Sequence, residues 1–170
     1  MHTFRGCKIS YPQASLIVSL IILSGYWTAG HADGGVVIPV VTDWSEVQSI
    51  QAKNNCLLVL LVEQSNCHYC ETIKTNFIEP ALKMKIYRKE VIFRRLSIDP
   101  GLSIHLNGEF ISTKEFFKSF DAVYAPTVLF LGPQREILVD NLVGISNPDY
   151  YGYYFEKSIK NSLEKLRIAH

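Results

Sequence analysis

The sequence lacks a long apolar run, an excess of charge of either sign and a glycine-rich phosphate loop. A membrane-spanning helix needs about 20 apolar residues, whereas the apolar stretch near the N-terminus covers only residues 14–23. The formal net charge is +1 and there is no basic run. Nothing in the charge pattern therefore indicates nucleic acid or an anionic membrane surface as a partner. Internal repeats and low-complexity tracts are also absent.

The N-terminus has the pattern of a secretory signal. Arg5 and Lys8 precede the apolar stretch, and Gly30-His31-Ala32 supplies small residues for a signal peptidase. We predict a signal peptide over residues 1–32 and one domain over residues 33–170, with an uncleaved membrane anchor as the alternative. The protein is then periplasmic or otherwise exported, in an oxidising compartment where disulfides persist.

Apolar periodicity predicts an α/β domain, with a central mixed β-sheet flanked by helices on both faces. The predicted strands are residues 36–41, 56–63, 91–98, 127–131 and 136–143. The predicted helices begin near Thr42 or Asp43, Cys67, Ser112 and Asn147. Asn107-Gly108 predicts a small hairpin within residues 103–111, and Ser112 with Glu115 predicts a capping box.

The most informative feature is Cys67-His68-Tyr69-Cys70, directly after an apolar strand and at the start of a predicted helix. Two cysteines at this spacing can close a disulfide in the first turn of a helix. The free amide donors and the helix dipole there favour a thiolate on Cys67. The pattern predicts disulfide exchange. A structural disulfide and half of a zinc site are the alternatives, with Cys56 and His105 as further candidate zinc ligands.

This motif, together with Ala125-Pro126-Thr127 at a strand start, resembles the thioredoxin superfamily over about residues 36–168. Within that superfamily the chain is most similar to exported SoxW-type thioredoxin-like proteins. The similarity rests on residues 61–64, Tyr69, the insert at 106–109, residues 113–115 and the turn at 143–145. It implies a thioredoxin-like fold, with the hairpin inserted before the proline motif and a cis-proline at Pro126 facing the disulfide.

The predicted catalytic residues are Cys67, the nucleophile, and Cys70, the resolving cysteine. By resemblance, Ala125 and Pro126 offer a backbone edge to which client chains add as a strand. A protonated His68 is expected to stabilise the Cys67 thiolate and give the protein an intermediate redox potential. Tyr69 is expected to form an apolar flank beside the disulfide.

Two positions depart from the family pattern. Thioredoxins carry a buried acid six residues before the first cysteine, where this chain has Leu61, and a tryptophan directly before that cysteine, where it has Asn66. Glu63 lies on the same strand face as Leu61. It is either a solvated carboxylate or the proton acceptor for Cys70.

These patterns predict an exported thiol-disulfide oxidoreductase that reduces disulfides of other exported proteins. By resemblance, a DsbD-type membrane protein is the expected electron donor. We expect no cofactor, metal or nucleic acid, and a monomer. The alternatives are a disulfide oxidase or isomerase of the DsbA or DsbC type, and a binding module with a structural disulfide.

Overall fold

The computed structural model describes residues 37–168, so the predicted signal segment lies outside the described residues. The α-helices are α1 Trp44–Asn54, α2 His68–Ile73, α3 Glu79–Lys83, α4 Thr113–Lys118 and α5 Pro148–Ile168, and a π-helical segment, Lys74–Ile78, joins α2 to α3. The strands are β1 Leu57–Glu63, β2 Val91–Ser97, β3 Ser103–Leu106, β4 Glu109–Ser112, β5 Thr127–Leu131 and β6 Leu142–Val143. No helix between residues 37 and 168 combines the length and hydropathy that a membrane crossing requires.

The main sheet has the strand order β2-β1-β5-β6. Strands β1 and β2 run parallel, whereas β5 runs antiparallel to β1 and β6 antiparallel to β5. All seven residues of β1 are buried, as expected for a central strand covered on both faces. The predicted α/β domain with a mixed central sheet is therefore confirmed.

The apolar side chains of β1 alternate between two cores. Leu58, Leu60 and Val62 join the core under α1, α4 and the hairpin, which also contains Trp44 and Phe116. The opposite face packs against α2, α3 and α5. Its members include Leu57, Val59, Leu61, Ile73, Phe155 and Ile159.

Local turn chemistry explains the hairpin, which is a separate two-stranded sheet of β3 and β4. Asn107 and Gly108 form its two-residue loop with φ angles of 53° and 92°, the left-handed values that such a turn needs. The hairpin prediction is confirmed.

Three local predictions were wrong. Ser112 precedes α4 but makes no side-chain capping bond, so the capping box is absent. The predicted strand 136–143 is reduced to β6 and one bridge between Leu131 and Ile137. Among the described residues of the predicted edge strand, Val40 forms a single bridge to Arg95. The two strand errors concern pairings whose partner strand lies elsewhere in the chain, whereas the absent capping box is a local error.

Candidate functional site

Cys67 is the N-cap of α2 and is joined to Cys70 by a disulfide. Asn66, with φ of 58°, turns the chain, and Cys67 is extended at φ −95° and ψ 99°. The backbone N–H of Cys70 donates to Cys67 Sγ over 3.2 Å. The first sulfur therefore lies at the end of α2 where amide donors are free to stabilise negative charge.

The two sulfur-bearing residues differ in exposure. Cys67 is half-buried, whereas Cys70 is 2% exposed and packs on the inner side of α2. A disulfide carried by another protein can therefore reach Cys67 but not Cys70. This asymmetry matches the nucleophilic and resolving roles that the sequence predicts, which remain predictions.

Asp99, just after β2, holds the loop that leads to Cys67. Its carboxylate accepts from the Ser65 N–H at 2.9 Å, from the Ser65 hydroxyl at 2.7 Å and from the Ser97 hydroxyl at 2.8 Å. The hydrogen bond from the Ser65 hydroxyl is the largest cause of a lowered pKa at Asp99. An ionised Asp99 thus fixes the backbone two residues before the disulfide.

Glu63 is neither solvated nor isolated. It is 8% exposed, and its Oε1 accepts from Nη1 of Arg95 over 2.7 Å. The Nε of Arg95 donates in turn to the Ile38 carbonyl over 3.1 Å. Leu61, at the position where thioredoxins carry a buried acid, is fully buried. The carboxylate nearest the disulfide on this strand face therefore belongs to an ion pair.

His68 and Tyr69, the two residues between the cysteines, both point into solvent. Their rings lie 5.8 Å apart, and Tyr69 is 56% exposed. The His68 side chain has no hydrogen bond or ion pair with any residue from 37 to 168. A client that approaches Cys67 would meet both rings.

The Ala125-Pro126 peptide bond is cis. The register of β5 on β1 pairs Thr127 with Val62, so Pro126 lies at the end of the sheet from which the chain leads to Cys67. The Gly144 N–H donates to the Pro126 carbonyl over 2.8 Å, and Gly144 adopts φ of 64° to do so. The sheet thus brings the proline motif and the cysteine loop to one end.

An open polar groove of about 630 Å³ runs beside Cys67. It is lined by residues 63–68, Glu71, Arg95, Ser97 and Asp99. Arg95, Ser65 and Asp99 belong to this site but were not predicted from the sequence. The charged residues within the otherwise apolar strand β2 indicated that Arg95 needs a partner. That partner could not be identified, because it depends on the register of β1 with β2.

The two candidate zinc ligands lie away from the disulfide. Cys56 is fully buried in the core under α1. His105 lies on the hairpin, where its ring is 5.2 Å from Phe110 and its Nδ1 is 3.2 Å from Asp43 Oδ2. Between residues 37 and 168, no three His, Cys, Asp or Glu side chains are arranged to hold a metal ion.

Solved thioredoxin structures share this architecture. Thioredoxin from Fasciola hepatica matches with a TM-score of 0.52 and 17% identity, over 74% of this chain and 99% of that chain. Oxidised mitochondrial thioredoxin 3 from Saccharomyces cerevisiae matches with a TM-score of 0.50 and 17% identity, over 73% and 94%. No protein-family model matches the chain, and no curated protein matches it significantly.

At this identity the similarity establishes the fold alone. The chain has a thioredoxin-like fold, as the sequence motifs predicted, with a Cys-X-X-Cys disulfide at the start of a helix.

Proposed function

We propose that this protein is a thiol-disulfide oxidoreductase that works through the Cys67–Cys70 couple. The observation that carries the proposal is the disulfide across the first turn of α2, with one residue accessible and the other buried. A purely structural bridge does not require this asymmetry, whereas disulfide exchange requires one sulfur that a client can reach.

In the reducing direction, the Cys67 thiolate attacks one sulfur of a client disulfide, and the other client sulfur leaves as a thiolate. Cys70 then loses its proton and attacks Cys67 Sγ, which forms the Cys67–Cys70 disulfide and releases the second client thiolate. Two electrons pass to the client, and both client thiolates take up protons. Reversal of these steps oxidises a client.

The cis-proline end of β5 supports a role in holding the client. Pro126 has no backbone N–H, and Ala125 precedes it at the same end of the sheet as the cysteine loop. An extended client segment pairing there would place its disulfide beside Cys67. Tyr69 would cover the apolar side of that segment.

The proton of Cys70 has two destinations in this proposal. Glu63 lies in the groove that Cys67 also lines, but its carboxylate is engaged by Arg95. Either Glu63 takes the proton or water in the groove does. Replacement of Glu63 by glutamine separates the two routes.

We further propose that the protein acts outside the cytoplasm as a reductant, like the SoxW-type proteins that its motifs resemble. The signal-like pattern of residues 1–32 supports export. A reductant in an oxidising compartment needs an electron supply, and a DsbD-type membrane protein fits that need. The clients are then disulfide-containing exported proteins, and the working unit is a monomer.

A redox titration of the purified protein in glutathione or dithiothreitol buffers tests the function. We expect Cys67 and Cys70 to equilibrate, read by the mass of the alkylated peptide, at a potential between about −270 and −120 mV. Insulin reduction should be lost in Cys67→Ser, and Cys70→Ser should accumulate a mixed disulfide.

A potential below about −300 mV, together with no insulin reduction, would identify a structural bridge in a binding module. A potential near −120 mV, with faster oxidation of reduced clients than reduction of insulin, would favour an oxidase. A matched control is Ser49→Ala, an exposed change on α1, on the other face of the sheet from α2. It should leave the redox potential and the rate of insulin reduction unchanged.

A further inference from the structure

The fold brings together positive charge that the sequence places in two separate segments. Residues 37–168 contain fifteen Lys and Arg and fifteen Asp and Glu. Seven of the cations lie at the end of α3, on the turn between α3 and β2, or on the part of α5 beside that turn. These are Lys83, Lys85, Arg88, Lys89, Lys157, Lys160 and Arg167. We call this surface, residues 83–90 with these α5 residues, the basic face.

Most of these charges have no internal counter-ion. Among residues 37–168, Lys83, Lys85, Arg88, Lys89 and Lys160 form neither an ion pair nor a hydrogen bond through their side chains. Only Arg167 is paired, with the Glu90 carboxylate at 2.9 and 3.0 Å. Apart from Glu90, the acid in the groove between turn and helix is Glu156. Glu164 also lies on α5, within a turn of Lys160 and of Arg167. With Glu90, Glu156 and Glu164 counted, the basic face has a net charge of +4, while the other described residues have a net charge of −4.

Apolar side chains project from the same face. Ile86, at the centre of the turn, is 71% exposed, and Met84 is 44% exposed. Tyr153 on α5 is 60% exposed, with Nζ of Lys157 at 5.6 Å from its ring centre. A groove of about 610 Å³ separates the turn from α5. Exposed aliphatic residues between basic ones are typical of surfaces that enter the headgroup region of a bilayer.

The basic face lies at the opposite end of the sheet from the disulfide. The turn leads into Val91, which pairs with Leu57 at the start of β1, whereas the cysteine loop follows Glu63 at its end. Seven residues of strand separate the two ends by about 23 Å. Val40 pairs in parallel with Arg95, so residues 37–40 run in the same direction as β2, from the side of the basic face toward the disulfide.

We infer that the basic face binds a bilayer that contains anionic phospholipids, with Ile86 entering the headgroup layer and the disulfide directed away from the membrane. Charge complementarity selects an anionic surface, and the protruding aliphatic side chains favour a bilayer over a nucleic acid or a soluble anion. The sequence places four of these cations within residues 83–89, but Lys157, Lys160 and Arg167 join them only when α5 packs beside the turn.

Vesicle flotation of the full chain tests this inference. Every variant keeps residues 1–36, so differences between variants report the basic face. We expect binding to phosphatidylcholine vesicles to rise on addition of phosphatidylglycerol and to fall with added salt. Lys85→Gln/Arg88→Gln/Lys89→Gln should weaken binding to the anionic vesicles by roughly 100-fold, at about fivefold per charge. Ile86→Ser should weaken it by about tenfold.

The matched control is Lys53→Gln/Lys114→Gln/Lys118→Gln, which removes three exposed cations on α1 and α4; it should bind like the wild type. Far-UV circular dichroism and the redox potential should be unchanged in all variants. Equal losses in the two triple variants would overturn the inference.

Three other results would also overturn it: unchanged binding in Ile86→Ser, full competition by millimolar inorganic phosphate, or equal affinity for duplex DNA. Vesicles that protect reduced Cys67 from an impermeant maleimide would contradict the proposed orientation.

Discussion

Replacement of Arg95 by leucine tests the ion pair beside Cys67. In the structure the Glu63 side chain is 10% exposed and that of Arg95 34% exposed. The substitution leaves the Glu63 carboxylate in place without its partner and removes the bond from Arg95 to the Ile38 carbonyl. Deleting one member of a fully buried pair costs about 3–5 kcal/mol. Because water reaches part of Arg95, we expect a loss of about 2–3 kcal/mol in the free energy of unfolding.

A double-mutant cycle makes this reasoning refutable. Exchange of a largely buried ion pair for apolar residues is often near neutral, so Glu63→Leu/Arg95→Leu should be more stable than Arg95→Leu alone. Urea unfolding of the oxidised protein gives each free energy from its midpoint and slope, and the cycle gives the coupling between the two residues. Arg88→Leu, at an exposed and unpaired arginine, should change stability by less than about 0.5 kcal/mol. An Arg95→Leu protein as stable as the wild type would refute the argument, as would a double variant that loses the sum of both single losses.

Four further predictions concern the site and the core under α1 and α4. His68→Ala should make the redox potential more negative by about 30 mV, since a protonated imidazole would favour the Cys67 thiolate; an unchanged potential would remove His68 from the proposal. Glu63→Gln should slow release of the client from the mixed disulfide if Glu63 accepts the Cys70 proton, and an unchanged rate assigns that proton to water. Asp99→Asn should lower the stability of the protein at neutral pH. The difference from the wild type should shrink as the pH falls through the lowered pKa of Asp99, because the stabilising ionised form is fully present only above the ordinary pKa of 3.8. A pH-independent difference in urea midpoints would contradict this. The guanidinium carbon of Arg135 lies 5.0–5.6 Å from the ring centres of Trp44, Phe116 and Phe120. Arg135→Met should therefore lower the stability of the protein by about 1–2 kcal/mol, measured by thermal unfolding with tryptophan fluorescence. An unchanged midpoint would show that the rings need no cation.

The elements that sequence predicted well are those whose cause is local. The apolar run of β1 has no polar residue before Glu63, and Asn107-Gly108 contains the turn chemistry of the hairpin within two residues. The disulfide is likewise local, because Cys67 and Cys70 share one helical turn. In each case the atoms that decide the structure are within a few residues of one another.

What sequence did not predict depends on register and packing. The pairing of Glu63 with Arg95 follows from the alignment of Leu61 with Arg95 across β1 and β2, with Glu63 two residues further on the same face. Asp99 reaches Ser65 across 34 residues of chain. Met84 and Ile86 continue the apolar pattern after α3 but are exposed, because the chain leaves the helix at Met84 and the turn no longer faces the core.

Strand direction explains why the residues of the candidate site meet at one end of this sheet. Because β1 and β2 are parallel, Glu63 and Ser97 end side by side, and the loops that follow them are joined through Asp99. Because β5 is antiparallel, its start brings Pro126 to the same end. Thioredoxins carry a buried acid where this chain has Leu61, so the strand stays apolar under α2. Its carboxylate is that of Glu63, which pairs with Arg95 beside the open groove. We therefore expect proton transfer to depend on the groove rather than on the core.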